Sequence, residues 1–237
     1  STGASIVDLE FSADGSRLAV GATTGLVRVY ETHSGATLLD RTLANLSSLE
    51  MSPTGDRLTV RDDNSVHVWN VDTGEPLGVL AHASNTASVD FKADGSQIVT
   101  GGADSFVRLW QSENGTPIKE REFEGQHVIR VRFIPNRDWV WVLTGNSESF
   151  KEEVHVWDYV ADEMVVDELI HDTHIEATEF SVTGDRYVTV LRSGQLQGWE
   201  SATGKQIGKT IQLTSIEVRV GFGPNDDEIV LVSLNGD

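Results

Sequence analysis

The chain repeats itself about every forty residues, and no other feature limits its fold as tightly. Aligned on the apolar residue that closes the first strand of each unit, Phe11, Met51, Phe91, Phe133, Phe180 and Phe222 lie 40, 40, 42, 47 and 42 residues apart. A turn signal follows in each unit: Asp14-Gly15, Thr54-Gly55, Asp94-Gly95, Pro135-Asn136-Arg137, Thr183-Gly184 and Pro224-Asn225-Asp226. Gly supplies the positive φ that such turns use, and Asp or Asn bonds its own backbone. A second strand comes next, then a third that ends on an aromatic: Tyr30, Trp69, Trp110, Trp157 and Trp199. A further turn, Ser34-Gly35, Thr73-Gly74, Asn114-Gly115 or Thr203-Gly204, leads into a weaker fourth strand. The apolar residues alternate with period two and no segment sustains a period of 3.6. The chain is therefore expected to be all-β, each unit being four short antiparallel strands that bury their faces by stacking on neighbouring units.

The clearest copy runs from Val99 to Trp110. Thr100-Gly101-Gly102-Ala103-Asp104 turns the chain, and Phe106 to Trp110 alternates as a strand. Units of this length, with four strands and a terminal Trp, resemble WD40 repeats, the blades of a β-propeller. The eponymous Trp-Asp pair is literal only at Trp157-Asp158; elsewhere it reads Tyr30-Glu31, Trp69-Asn70, Trp110-Gln111 and Trp199-Glu200. The resemblance covers nearly the whole chain, as five full repeats and half of a sixth. It implies a single propeller domain over residues 1–237, with blades at about 6–43, 46–81, 86–124, 128–170 and 175–213 and a partial blade at 216–237. The sixth unit reaches the last residue between its second and third strands, so the propeller is expected to be incomplete in this chain and closed by polypeptide outside it.

The resemblance also implies a buried tetrad of His, Ser/Thr, Asp and Trp. Unit three carries it in full as His82, Thr100, Asp104 and Trp110. Unit two has Asp63 and Trp69 but Thr42 at the His position. Unit five has His171 and Trp199 but Ser193 for Asp. Unit four has Trp157 with Glu124 and Lys151 at the polar positions, and unit one has Tyr30 alone. A polar network stabilises only when every member is satisfied. Blade three is thus expected to be the best determined, and blades one and four the loosest. Asp104→Ala is expected to cost about 1–3 kcal/mol.

Composition narrows the function. With 18 Lys and Arg against 37 Asp and Glu, the formal charge is −19. That field repels nucleic acid and anionic membranes and suits a basic partner; it also keeps a β-rich protein soluble. There is no cysteine, so thiol chemistry and disulfides are absent, which fits a cytoplasmic setting. Catalytic motifs are missing. Thr100-Gly101-Gly102 lacks the Lys and following helix of a phosphate loop, and no Gly-x-Ser-x-Gly elbow occurs. His171-Asp172-Thr173-His174 looks like a metal cluster, but His171 falls at the tetrad position. No cofactor is expected.

What remains is interaction. Loops on a rigid scaffold carry function more often than the scaffold does. By the resemblance, the loops before each first strand and between second and third strands share one face. The candidate partner-binding residues there are Asp62, Asp63, Asn85, His127, Glu148, Phe150, Glu152, Asp172, His174 and Arg192. The expectation is a non-catalytic scaffold or sensor propeller of a larger protein that binds protein or peptide on this face. The alternatives are a small-ligand or enzymatic propeller using a central channel, and a fragment completed by another chain.

Overall fold

The computed structural model describes residues 4–146, 151–214, 218–226 and 228–233. They form five four-stranded antiparallel sheets and one two-stranded sheet. The first sheet holds β1 (Ile6–Phe11), β2 (Arg17–Ala22), β3 (Leu26–Glu31) and β4 (Thr37–Thr42). The second holds β5 (Ser48–Met51), β6 (Arg57–Arg61), β7 (Ser65–Asn70) and β8 (Pro76–Ala81). The third holds β9 (Thr86–Phe91), β10 (Gln97–Gly102), β11 (Phe106–Gln111) and β12 (Pro117–Glu122). The fourth holds β13 (His127–Phe133), β14 (Trp139–Gly145), β15 (Glu152–Asp158) and β16 (Glu163–His171). The fifth holds β17 (Ile175–Phe180), β18 (Arg186–Leu191), β19 (Gln195–Glu200) and β20 (Gln206–Gln212). β21 (Val218–Phe222) and β22 (Ile229–Ser233) pair as the sixth. Strand order follows chain order in every sheet, and no helix occurs among the described residues. The chain divides into two compact units, Ser1–Val131 and Arg132–Asp237, each with its own core.

Register turns the repeat into a packing rule. Phe91 lies opposite Ile98, and Ile98 opposite Trp110. The same cross-strand row appears as Phe11–Leu18–Tyr30, Met51–Leu58–Trp69 and Phe180–Tyr187–Trp199. Side chains alternate between faces along a strand, so the residues one and three before the third-strand aromatic point the other way. Those residues are Val27 and Val29, Val66 and Val68, and Val154 and Val156. Each pair packs under the aromatic row of the next blade: Val27 and Val29 with Met51, Leu58 and Trp69; Val66 and Val68 with Phe91, Ile98 and Trp110; Val154 and Val156 with Phe180, Tyr187 and Trp199. One branched pair and one aromatic row are thus enough to cement each of these junctions. In the row on the first sheet Phe11 is 58% exposed while Leu18 and Tyr30 are half-buried, whereas Met51, Phe91 and Phe180 are buried.

A second recurrent link escaped the sequence reading. Arg17, Arg57 and Arg186 each stand two residues after the turn glycine, at the head of a second strand. Arg17 Nη1 donates to the Gly55 carbonyl at 2.7 Å and Nη2 pairs with Asp72 at 2.6 Å, tying the first sheet to the second. Arg57 Nη1 reaches the Gly95 carbonyl at 3.4 Å in the same way. In the second unit Arg137 pairs with Asp185. The signal was present as Asp-Gly-Ser-Arg and Thr-Gly-Asp-Arg, but strand alternation alone reads an Arg there as an exposed residue. Arg17→Met is expected to cost about 1 kcal/mol, because a charge-assisted bond to a carbonyl is lost while the pair with half-exposed Asp72 contributes little. A urea titration of the two proteins checks it.

Blade four departs from expectation. Val140, Trp141, Val142, Leu143 and Thr144 are all fully buried, as is Trp157, so this blade is not loose. It replaces the tetrad with other bonds. His155 Nε2 meets Thr144 Oγ1 at 3.0 Å and its Nδ1 meets the Asp167 carbonyl, while Trp157 Nε1 donates to Asp162 Oδ1 at 3.1 Å. Trp139 Nε1 and Tyr159 Oη are likewise spent on Asp158 and Asp138. Trp139 and Trp141 are packing residues of the second unit's core.

Candidate functional site

The tetrad of blade three is assembled as a chain of hydrogen bonds. Trp110 Nε1 donates to Thr100 Oγ1 at 2.9 Å. Thr100 Oγ1 lies 2.8 Å from His82 Nε2, and His82 Nδ1 lies 2.9 Å from Asp104 Oδ1. With Nδ1–H donating to the carboxylate, Thr100 donates to a bare Nε2; Arg108 Nη1 also stands 2.8 Å from Nδ1. Asp104 Oδ2 also accepts from the Ala83 amide at 3.0 Å and from Arg108 Nη1 at 2.7 Å. Arg108 is thus a fifth member, set two residues before Trp110 on the same strand. Gly102 makes the room: a Cβ there would sit 2.7 Å from His82 Nδ1 and 2.9 Å from the Asn85 carbonyl. Burial pushes the Asp104 carboxyl up, but the bonds from His82, Arg108 and the Ala83 amide outweigh it and hold it down to about 2. Burial lowers the His82 imidazole, so the ring is neutral at pH 7. This is a structural network without a substrate-facing atom.

Blade five keeps half of it. Trp199 Nε1 donates to Thr189 Oγ1 at 2.9 Å, but His171 sits edge-on to Trp199 with ring centroids 5.3 Å apart. Its Nδ1 turns to the Leu169 carbonyl at 3.3 Å, and its Nε2 is buried without a partner. Ser193 is too short to hold Nδ1 as Asp104 does. The apparent metal motif comes apart for the same reason. His171 is inside the blade, and His174 bonds Glu152 Oε1 at 2.8 Å. Among the described residues no three His, Cys, Asp or Glu side chains converge as a metal site.

The loop residues separate into two groups. In the first unit, Asp62 is spent: it accepts from the Asn64 and Ser65 amides and meets His67 Nε2 at 2.9 Å. Asp63 is exposed; its carboxylate accepts from Asn45 Nδ2 at 3.1 Å and its carbonyl from the Thr86 amide at 2.9 Å. Asn85 is exposed and uses only its carbonyl, toward the Ala103 amide. His127 is exposed and its Nδ1 meets the Ala103 carbonyl at 2.9 Å. In the second unit, Asp172 is almost fully exposed, with Lys151 Nζ 3.9 Å away. Arg192 is exposed and paired with Glu176 at 2.8 Å. Glu152 departs from expectation: it is 5% exposed and bonds both His174 and the Ile175 amide. It pins the loop before β17, much as Asp104 pins the loop before β9, and does not face a partner. Glu148 and Phe150 lie outside the described residues.

Comparison with known proteins agrees with this geometry. Residues 74–111 match the family model described as "WD domain, G-beta repeat", a span that contains the whole tetrad. The chain is 23% identical over 176 residues to Protein groucho of Drosophila melanogaster, covering 74% of this chain and 23% of that protein. It is 23% identical to Transducin-like enhancer protein 2 of Mus musculus, over 65% of this chain and 19% of that one. It is 25% identical to eukaryotic translation initiation factor 3 subunit I of Debaryomyces hansenii, over 80% of this chain and 59% of that one. The chain therefore spans between about a fifth and three fifths of the length of these relatives. The solved structure of U3-55K superposes with a TM-score of 0.72 at 14% identity, covering 98% of this chain and 82% of that one.

Proposed function

From WD40-like propeller blades as the premise, we propose that the protein is a non-catalytic interaction scaffold that takes a protein or peptide partner on its loops. The observation that carries this reading is the contrast between filled blades and solvent-exposed loop side chains. The tetrad and its substitutes are consumed inside the sheets, while Asp63, Asn85 and His127 in one unit and Asp172 and Arg192 in the other remain open to solvent. With a formal charge of −19, a basic segment is the partner these loops suit, attracted electrostatically and sorted by the few exposed carboxylates. The cysteine-free composition suits a cytoplasmic setting. No helix among the described residues is long and apolar enough to cross a membrane. Among the described residues no metal-ligating cluster stands behind the small-ligand alternative.

The test is a pulldown on arginine- and lysine-rich peptides at low and high salt. Asp63→Lys and Asp172→Lys are expected each to weaken capture several-fold at low salt, with the difference shrinking at high salt as surface charges are screened. Asp62→Lys and Glu152→Lys are unsuitable probes, because both residues hold their own loops. Capture that is indifferent to Asp63→Lys and Asp172→Lys would place the interaction elsewhere.

A further inference from the structure

One junction of the first unit is polar where the others are sealed. Opposite the residue three before the third-strand aromatic, the second strands of the first five sheets carry Gly21, Arg61, Gly101, Leu143 and Val190. All but Arg61 are glycine or aliphatic, and buried. The next sheet closes tightly on the two glycines: a Cβ would fall 2.6 Å from the Leu46 side chain at Gly21 and 2.4 Å from that of Val128 at Gly101. In the second sheet this place holds a guanidinium, and Thr86 of the third sheet stands where Leu46 and Val128 stand, five residues before the apolar residue that closes the strand. Thr86 is fully buried, and its Oγ1 has no partner among the described residues.

Arg61 itself is half-buried. Its Nε donates to Ser48 Oγ at 3.0 Å, and Nη1 donates to the Thr86 carbonyl at 2.8 Å and to the Ala87 carbonyl at 2.7 Å. Nη2 has no partner among the described residues and is not enclosed, and no carboxylate there comes within ion-pair distance of the guanidinium. Burial works against its charge; Asp8 supports it from a distance, but Asp8 Oδ2 already accepts from the Leu49 amide at 2.9 Å. A half-buried charge held only by neutral oxygens lacks a counter-ion. It sits at the foot of the loops that carry Asp63 and Asn85: Asp62 and Asp63 follow Arg61 directly, and Asn85 precedes Thr86, whose amide donates to the Asp63 carbonyl.

We propose that Arg61 anchors one carboxylate of the peptide partner through Nη2. The inference rests on the loop-binding reading above and adds which peptide those loops select: one that is basic overall and carries a single acidic group among its cations. Exposed Asp63 and the −19 field draw the cations. Arg61 takes the acid. Three bonds already fix the guanidinium, so pairing costs it little freedom, and the pair forms where water is partly excluded. A carboxylate fits better than a phosphate, because one positive charge meets one negative charge and a dianion would face Asp8, Asp62 and Asp63. An Asp or Glu side chain and a peptide C-terminus supply the same chemistry.

The probe is a set of labelled lysine-rich, C-terminally amidated peptides in which one Glu is walked along the sequence, with a matched set carrying Gln. A further pair differs only in a free or an amidated C-terminus. All are titrated into the protein by fluorescence anisotropy. The field alone favours the Gln peptides. The expected result is the reverse at one or two neighbouring positions, where Glu binds about fivefold or more tightly than Gln, or a like preference for the free C-terminus, which tells the two sources apart. The preference should outlast high salt, since a partly buried pair is screened less than surface charges. Arg61→Gln is expected to erase it and Arg61→Lys to keep only part of it. The ratio of two affinities on one protein is independent of the folded fraction, and Arg61→Lys decides alone if Arg61→Gln does not fold. Basic peptides that bind with no acid preference anywhere overturn this inference and leave the loop reading standing. A preference that survives unchanged in the Arg61 variants also overturns it. Absence of binding by every peptide overturns both.

Discussion

Asp104→Ala is expected to destabilise the first unit by about 3 kcal/mol, the upper end of what the repeat alone suggested. The reason is the number of groups left without a partner. His82 Nδ1, the Ala83 amide and the Arg108 guanidinium all converge on one carboxylate whose side chain is 7% exposed. Removing it leaves His82 Nδ1 and the Ala83 amide without their acceptor and takes one of two carboxylates from Arg108, whose Nε keeps Glu120 at 3.1 Å, and breaking such a network costs more than the intact pair contributes. Asp104→Asn keeps an acceptor for His82 or Ala83 but loses the charge facing Arg108, so an intermediate loss is expected. Equilibrium urea denaturation of the three proteins, followed by tryptophan fluorescence, measures both. Partner affinity per folded molecule should stay nearly constant, since the network's side chains are largely buried. An Asp104→Ala protein as stable as its parent would remove the network from the account of the fold.

The second large effect is with pH. Burial lowers the imidazoles of His82, His155 and His171, although bonds from Asp104, the Asp167 carbonyl and the Leu169 carbonyl work against it. Each ring therefore takes up a proton less readily in the folded state than in the unfolded one. A folded value below the unfolded one means that stability is complete above the unfolded value and falls as pH drops beneath it. Loss should set in as pH falls through the ordinary imidazole range, about 6.5, and deepen toward the lowered folded values, the three histidines acting in the same direction. Asp104, held at about 2, adds a further loss only below the ordinary carboxylate range. Glu10 acts in the opposite sense, since burial and neighbouring Asp8 raise it. Urea midpoints at pH 7.5 and 5.5 test this, and His155→Gln should lessen the fall between them. A midpoint that does not change over that interval would contradict neutral buried histidines.

Both effects depend on residues that the repeat located but did not connect. The spacing from Phe11 to Phe222 and the glycine turns located all six sheets, because strand alternation and turn chemistry are local. His82, Thr100, Asp104 and Trp110 were legible for the same reason: their offsets recur with the strands that carry them. Arg108 was not, since an Arg in an alternating strand reads as solvent-facing until the loop before β9 is folded against it. The Arg17 and Arg57 bridges were hidden in the same way, each needing the neighbouring sheet's turn as its acceptor.

Blade four and Glu152 show where local reading fails. Counting tetrad positions made blade four loose, yet its bonds come from Thr144, His155 and Asp162, which occupy no tetrad position. Glu152 looked like one more acid on a rim. Only the path of the loop before β17 brings the Ile175 amide to 2.7 Å and turns the side chain inward. The sequence by itself determined the all-β class, the four-strand unit and which face of each strand is apolar, because these follow from period and turn residues within about ten positions. The tertiary structure decided which polar groups are consumed and which stay open. Those outcomes are set by the atoms a neighbouring sheet places within bonding distance, and no spacing along one repeat records them.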